Sequence, residues 1–190
     1  MGFLDALFGR SRPTRPKTEA FFALSTAQVT LETSLQWKSA GRAGVCYRPV
    51  ESGDFADVEK ELEELLRFSS EESHARVEFQ HDAYGYRWAI LTDPDFDDLV
   101  TTVHMVAETL KEKGYGSQLL SAVWRFLTEE GRGAYLVYNY KRGNFYPFIP
   151  AEGEKKRNNA LELRAGAVLE GELPWETDPT RWYALWDCPV

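Results

Sequence analysis

Residues 86–116 read YRWAILTDPDFDDLVTTVHMVAETLKEKGYG and join a strand-like half to a helix-like half. The first part belongs to a hairpin in which YGYRWAILT pairs with ARVEFQ around the turn HDAYG. The second part is a helix, with Asp93 as its expected cap and Pro94 at its first position. Phe96, Leu99, Val100, Val103, Val106 and Leu110 recur at helical spacing and form one apolar face. Gly114 or Gly116 ends it. A hairpin followed by a one-faced helix points to a sheet with helices packed on it.

Working outward, another amphipathic helix spans about residues 54–68, with Phe55, Val58, Leu62, Leu65 and Leu66 inward and a run of glutamates toward water. Before it, TEAFFALS reads as a short helix. Val29, Leu31, Leu35 and Trp37 then alternate as a half-buried strand, and KSAGRAG turns the chain back into VCYRPV to complete a hairpin. After residue 116 come the strands SQLLSAVWRFLT, GAYLVYNYK and NFYPFIP, then a helix near 159–169 where Asn159 and Glu162 have capping-box spacing. RWYALWDCP ends the chain as an extended segment. The expected class is α+β: an antiparallel sheet built from hairpins, with three amphipathic helices on one face. Residues 1–16 stand apart as an apolar segment and basic linker, and residues 17–190 form one domain. Within it, 17–92 and 94–187 read in similar order, as a pseudo-repeat would, yet they share no residue pattern, and one continuous sheet is the simpler expectation.

Composition narrows the function classes. The chain has 190 residues, 43% hydrophobic and 14% aromatic, which suits a folded globular domain. A net charge of −8 argues against a general nucleic-acid binder, which needs clustered cations. Cys46 and Cys188 lie far apart in sequence and build neither a disulfide framework nor a metal spacing. There is no spanning apolar run and no secretory pattern, so the expected location is cytoplasmic.

The motifs that could carry chemistry are incomplete. Asp93, Asp95 and Asp97 have calcium-loop spacing, but the sixth and twelfth positions are Asp98 and His104 rather than Gly and Glu. Helix capping explains these carboxylates without a metal. His74, His81 and His104 form no helical ligand pair and have no cysteine near them in sequence. No nucleophile elbow and no phosphate-cradling glycine loop occurs. No cofactor and no catalytic residue is expected. In YLVYNYKRGNFYPFIP, Tyr138, Tyr140, Phe145 and Tyr146 surround Lys141 and Arg142. Asn144 occupies the place where an RNA-recognition signature needs an aromatic. These aromatics are read as packing residues, with a peptide-binding face as the functional alternative.

The opening stretch MGFLDALFGRSRPTRPK has a different character. Phe3, Leu4, Leu7 and Phe8 make one apolar side of a two-turn helix, and Arg10, Arg12, Arg15 and Lys17 follow directly. That is the pattern of a weak interfacial anchor on anionic lipid or a docking arm for a partner. Pro13 and Pro16 uncouple it from the domain. Ala6 at the sixth position does not fit lipid modification at Gly2.

MGFLDALFGRSRP, TEAFFALSTAQVTLE, GRAGVCYRPVE and NNALELRAGAVLEGELPWETDPTRWYALWDCP together resemble the PspA-associated protein PspAB family, in order and over nearly the whole chain. The resemblance implies a role in the phage-shock, or envelope-stress, response, whose central protein PspA is a coiled-coil membrane remodeller. It implies no catalytic residues. A looser likeness is to secretion-chaperone and YbjN-like α+β proteins, which bind other polypeptides. The expectation is a non-enzymatic accessory protein that binds a PspA-type protein or a membrane-bound stress partner, peripheral at the inner face of the membrane. The alternative is a chaperone-like protein that holds a client segment, and a small-molecule enzyme comes third.

Overall fold

The computed structural model describes residues 20–71, 75–151, 153 and 155–190. Four helices and six strands follow one another: α1 (Ala20–Ser34), β1 (Lys38–Tyr47), α2 (Gly53–Glu71), β2 (Arg76–His81), β3 (Arg87–Thr92), α3 (Phe96–Glu112), β4 (Leu119–Leu127), β5 (Gly133–Asn139), β6 (Asn144–Phe148) and α4 (Asn159–Leu169). The strands form one open antiparallel sheet in the order β2-β3-β1-β4-β5-β6. The fold is therefore α+β with one continuous sheet, as expected. The strands of the two expected halves meet in it through the β1–β4 pair.

The N-terminal part of the domain differs from the expected strand and hairpin. The expected strand through Val29 and Trp37 is helix for most of its length, and the first hairpin does not exist. Phe21, Leu24, Ala27 and Leu31 are the buried side of α1, at helical spacing, whereas Val29 is 67% exposed. Apolar residues on both sides of α1 mimic alternation over a short window, which is why the period misleads. KSAGRAG is likewise a bulged part of the single strand β1, since its pairing to β4 shifts between Ser39 and Arg42. Gly41 sits there at φ +67°, and a Cβ would lie 3.0 Å from the Asp93 carbonyl oxygen. The glycine that looks like a turn signal is thus the residue that lets β1 touch the start of the α3 loop.

Helix α3 begins two residues later than expected. Asp95 is the cap, its Oδ1 accepting from the Asp97 and Asp98 amides at 2.9 and 3.2 Å. Asp93 instead accepts from the Asp95 amide at 2.8 Å, and Pro94 precedes the helix. Helix α4 is capped by Asn158 rather than Asn159, and Glu162 turns inward instead of closing a capping box. Leu65, expected on the inner stripe of α2, is exposed.

Cross-strand register sorts the side chains onto two faces. Val45, Ala122, Tyr138 and Phe145 share one face, and Phe21 of α1 packs on it. Helices α2 and α3 pack on the same side, through Tyr47–Phe55 and Phe96–Phe126. α4 packs against β6 and α1. No described helix covers the other face. The C-terminal segment crosses it as an irregular strap after a single 3-10 turn, Pro179–Arg181, rather than as a paired strand. Trp186 meets Phe148 edge-on, Arg42 Nη2 donates to the Pro189 carbonyl at 2.8 Å, and Val190 lies on Gly44. A Cβ on Gly44 would come within 2.6 Å of Val190 Cγ2, so a side chain there would have to displace Val190.

Candidate functional site

Between that strap and the helix-free face is a half-open cavity of about 1280 Å³. Its floor is one straight cross-strand row: Gln80, Trp88, Cys46, Ser121, Asn139 and Asn144, each opposite the next. Five of the six carry polar atoms, on a sheet face that period-two alternation would otherwise fill with core residues. The walls are aromatic. Tyr84 and Tyr86 come from the β2–β3 turn, Tyr146 from β6, Trp175 from the loop after α4, and Tyr183 and Trp186 from the strap.

Each wall is held by local chemistry. Asp82 Oδ1 accepts from the Tyr84 and Tyr86 amides, both at 2.9 Å, and its Oδ2 accepts from Trp88 Nε1 at 3.0 Å. The short side chain closes the turn and orients the indole together. Asn139 Oδ1 accepts from the Lys141 and Arg142 amides at 3.0 and 3.3 Å, shaping the β5–β6 turn. Trp175 bridges to Phe145 beyond the edge of β6. Buried Glu176 lies 3.6 Å from Arg142 and 3.7 Å from Arg181, and its carbonyl accepts from Trp182 Nε1 at 2.7 Å. Two hydrogen bonds from Thr180 hold the Asp178 carboxyl below its ordinary range.

The thiols face the same space. Burial pushes the Cys46 thiol well above its ordinary value, with the nearby Asp82 charge adding to it. Burial also raises Cys188, to about 11. Both are therefore protonated at neutral pH and are poor nucleophiles. They are far apart in sequence, yet they line one cavity. Among the described residues no group of three or more His, Cys, Asp or Glu side chains could hold a metal ion.

The sequence-derived candidates are scattered by the fold. Phe3, Leu4, Leu7, Phe8, Arg10, Arg12, Arg15, Lys17 and His74 lie outside the described residues. Tyr138, Tyr140 and Phe145 are buried on the helix-covered face, their rings 4.7, 5.9 and 6.5 Å from Phe21. Tyr146 alternates to the opposite face and lines the cavity. The four thus do not form one accessible peptide-binding face, because a period of two divides them and α1 covers the larger share. His81 lines the cavity, while His104 packs against Phe21 and Phe22 beneath α1. Trp88, Tyr84, Tyr183 and Trp186 were not singled out by sequence, although YGYRW and RWYALW are dense in aromatics.

The match to known families is complete in length. A family model described as PspA associated protein B, PspAB, covers residues 1–190. The chain belongs to the PspAB family. Neither a curated protein nor a solved structure matches it. The PspAB family name implies association with PspA, and no described helix is long and apolar enough to cross a membrane.

Proposed function

We propose that this PspAB-family chain is a non-enzymatic accessory protein that acts by binding, taking an extended segment of a PspA-type partner into the cavity on the helix-free face. The observation that carries the reading is the cavity's build, a row of polar side chains between aromatic walls. Amides and hydroxyls can bond a peptide backbone without regard to sequence, and aromatic walls take up its side chains. Two acids there are committed to structure: Asp82 closes a turn, and Glu176 sits between two arginines. The protonated thiols also suit a binding surface better than covalent catalysis. The basic apolar segment of residues 1–16 would add contact with an anionic membrane surface or the same partner.

The test uses two wall residues that the fold can spare, Tyr84 (74% exposed) and Tyr183 (53% exposed). Tyr84→Ala with Tyr183→Ala should weaken co-purification with PspA about tenfold or more, as removal of aromatic anchors does, while the melting temperature stays close to that of the parent. Unchanged binding in a folded double variant would move the partner to another surface.

A further inference from the structure

Beyond the cavity, on the other side of the strap, a second cross-strand row crosses the helix-free face: Arg76, Thr92, Arg42, Arg125, Tyr135 and Phe148. It holds three arginines and no acid, in a chain whose net charge is −8. Arg42 and Arg125 are direct opposites on β1 and β4. Like charges placed directly opposite on adjacent strands destabilise a sheet. Neighbouring strands lie only about 5 Å apart.

The row itself holds no acid to offset that repulsion. Among the described residues, no carboxylate comes within ion-pair range of either guanidinium, and the Nε atom of each is buried with no hydrogen-bond partner. One Arg42 donor is fixed on the Pro189 carbonyl, which anchors that side chain beside the strap. Tyr135 follows Arg125 in the row, and its ring stacks on Phe148 at 5.9 Å. Burial pushes its hydroxyl above the ordinary value, against the pull of Arg125 and Arg42, so it stays a neutral donor.

We infer that Arg42 and Arg125, with the Tyr135 hydroxyl, form a binding site for a phosphate-class oxyanion. Such an anion takes parallel N–H donors from a guanidinium fork and brings a negative charge between two positive ones. Two half-buried arginines that repel each other in its absence then become its two ligands. The chemistry is the same for free phosphate and for the phosphate of a lipid headgroup. This site is separate from the cavity, and its test does not depend on any partner protein.

The experiment compares thermal melting of the full chain in sodium phosphate and in sodium chloride at equal ionic strength. The parent should melt a few degrees higher in phosphate, because a ligand bound only by the native state stabilises it. Arg125→Gln should lose that increment. In chloride it should melt no lower than the parent, since the substitution removes a like-charge neighbour. Arg125→Lys, which keeps the charge and loses the fork, should show a reduced increment and serves if the Gln variant folds poorly. Co-sedimentation with phosphatidylcholine vesicles, with and without phosphatidic acid, separates the sources. Binding to the acidic vesicles that falls about tenfold in Arg42→Gln/Arg125→Gln points to a headgroup, and a phosphate shift without vesicle binding points to the free anion. Equal phosphate increments in parent and both Arg125 variants would overturn the site. So would the absence of any phosphate increment together with vesicle binding that the arginine substitutions leave unchanged.

Discussion

Arg157 Nε donates to both carboxylate oxygens of Glu162, at 3.0 and 2.9 Å, across the start of α4. Glu162 is 2% exposed and also accepts from the Ile149 amide at 2.8 Å. The same guanidinium donates to the Pro147 carbonyl at 3.0 Å and to the Trp182 carbonyl. One ion pair therefore joins the end of β6, the first turn of α4 and the root of the strap. Arg157→Met leaves a buried carboxylate without its cation and should cost about 3–5 kcal/mol. Arg157→Met/Glu162→Leu should cost less than the single change, because no lone charge remains. Urea unfolding of Arg157→Met, Glu162→Leu and the double variant checks the coupling; a double loss equal to the sum of the two single losses would mean the pair is not coupled.

Val29 and Leu31 would share a face in a strand, but lie about 200° apart on a helix. Val29→Lys should therefore change stability by less than about 0.5 kcal/mol, as surface substitutions do. Leu31→Ala should cost about 2–5 kcal/mol through the cavity it leaves. Similar large losses at both positions would restore the strand.

The thiols make a pH signature. An ordinary thiol titrates at 9.0, while the folded Cys188 holds its proton to about 11. The folded state binds that proton more tightly, so the contribution to stability is complete below pH 9 and is lost as pH rises through 11. The size is on the order of 2 kcal/mol for a shift of this kind. Cys46→Ser/Cys188→Ser should fold, keep partner binding and show a shallower loss of stability across pH 9–11. An identical slope in parent and variant would show that other groups govern that window.

The aspartates of DPDFDDL act on the helix and not on a metal. Asp95→Ala should lower stability by about 1 kcal/mol through loss of the cap. Millimolar calcium should leave the melting temperature of the parent unchanged. A rise that a chelator reverses would mean that these carboxylates do hold an ion.

Removal of residues 1–16 should leave cooperative unfolding nearly unchanged and weaken recruitment to anionic vesicles or to the partner. Phe3→Glu/Phe8→Glu should mimic it by placing charge on the apolar side. Melting and vesicle co-sedimentation, measured on the same preparations, decide between the alternatives. A large fall in melting temperature with binding intact would make the segment part of the core.

Local pattern was enough for α3 and for the second hairpin. The stripe Phe96, Leu99, Val100, Val103, Val106 and Leu110 is the buried side of α3, and the hairpin around HDAYG closes where its turn residues predict. The family was legible too, because its motifs are contiguous. Pattern failed at α1, whose apolar residues point both toward the sheet and toward water, and at β1, where glycine marks a bulge and a close contact instead of a turn.

What the tertiary structure alone decided is which face of the sheet is free and what meets on it. Side-chain alternation places Tyr138 and Tyr146 on opposite faces, but only the position of α1 buries one and leaves the other lining a cavity. The sheet order brings Trp88, Cys46, Ser121 and Asn139 into one row by setting β1 between β3 and β4, out of chain order. The same order sets Arg42 against Arg125, and the strap brings Cys188 to the cavity that Cys46 floors. Periodicity is a property of neighbours along the chain, whereas a site is made by long-range pairing. Its energy depends on residues dozens of positions apart that no local period records.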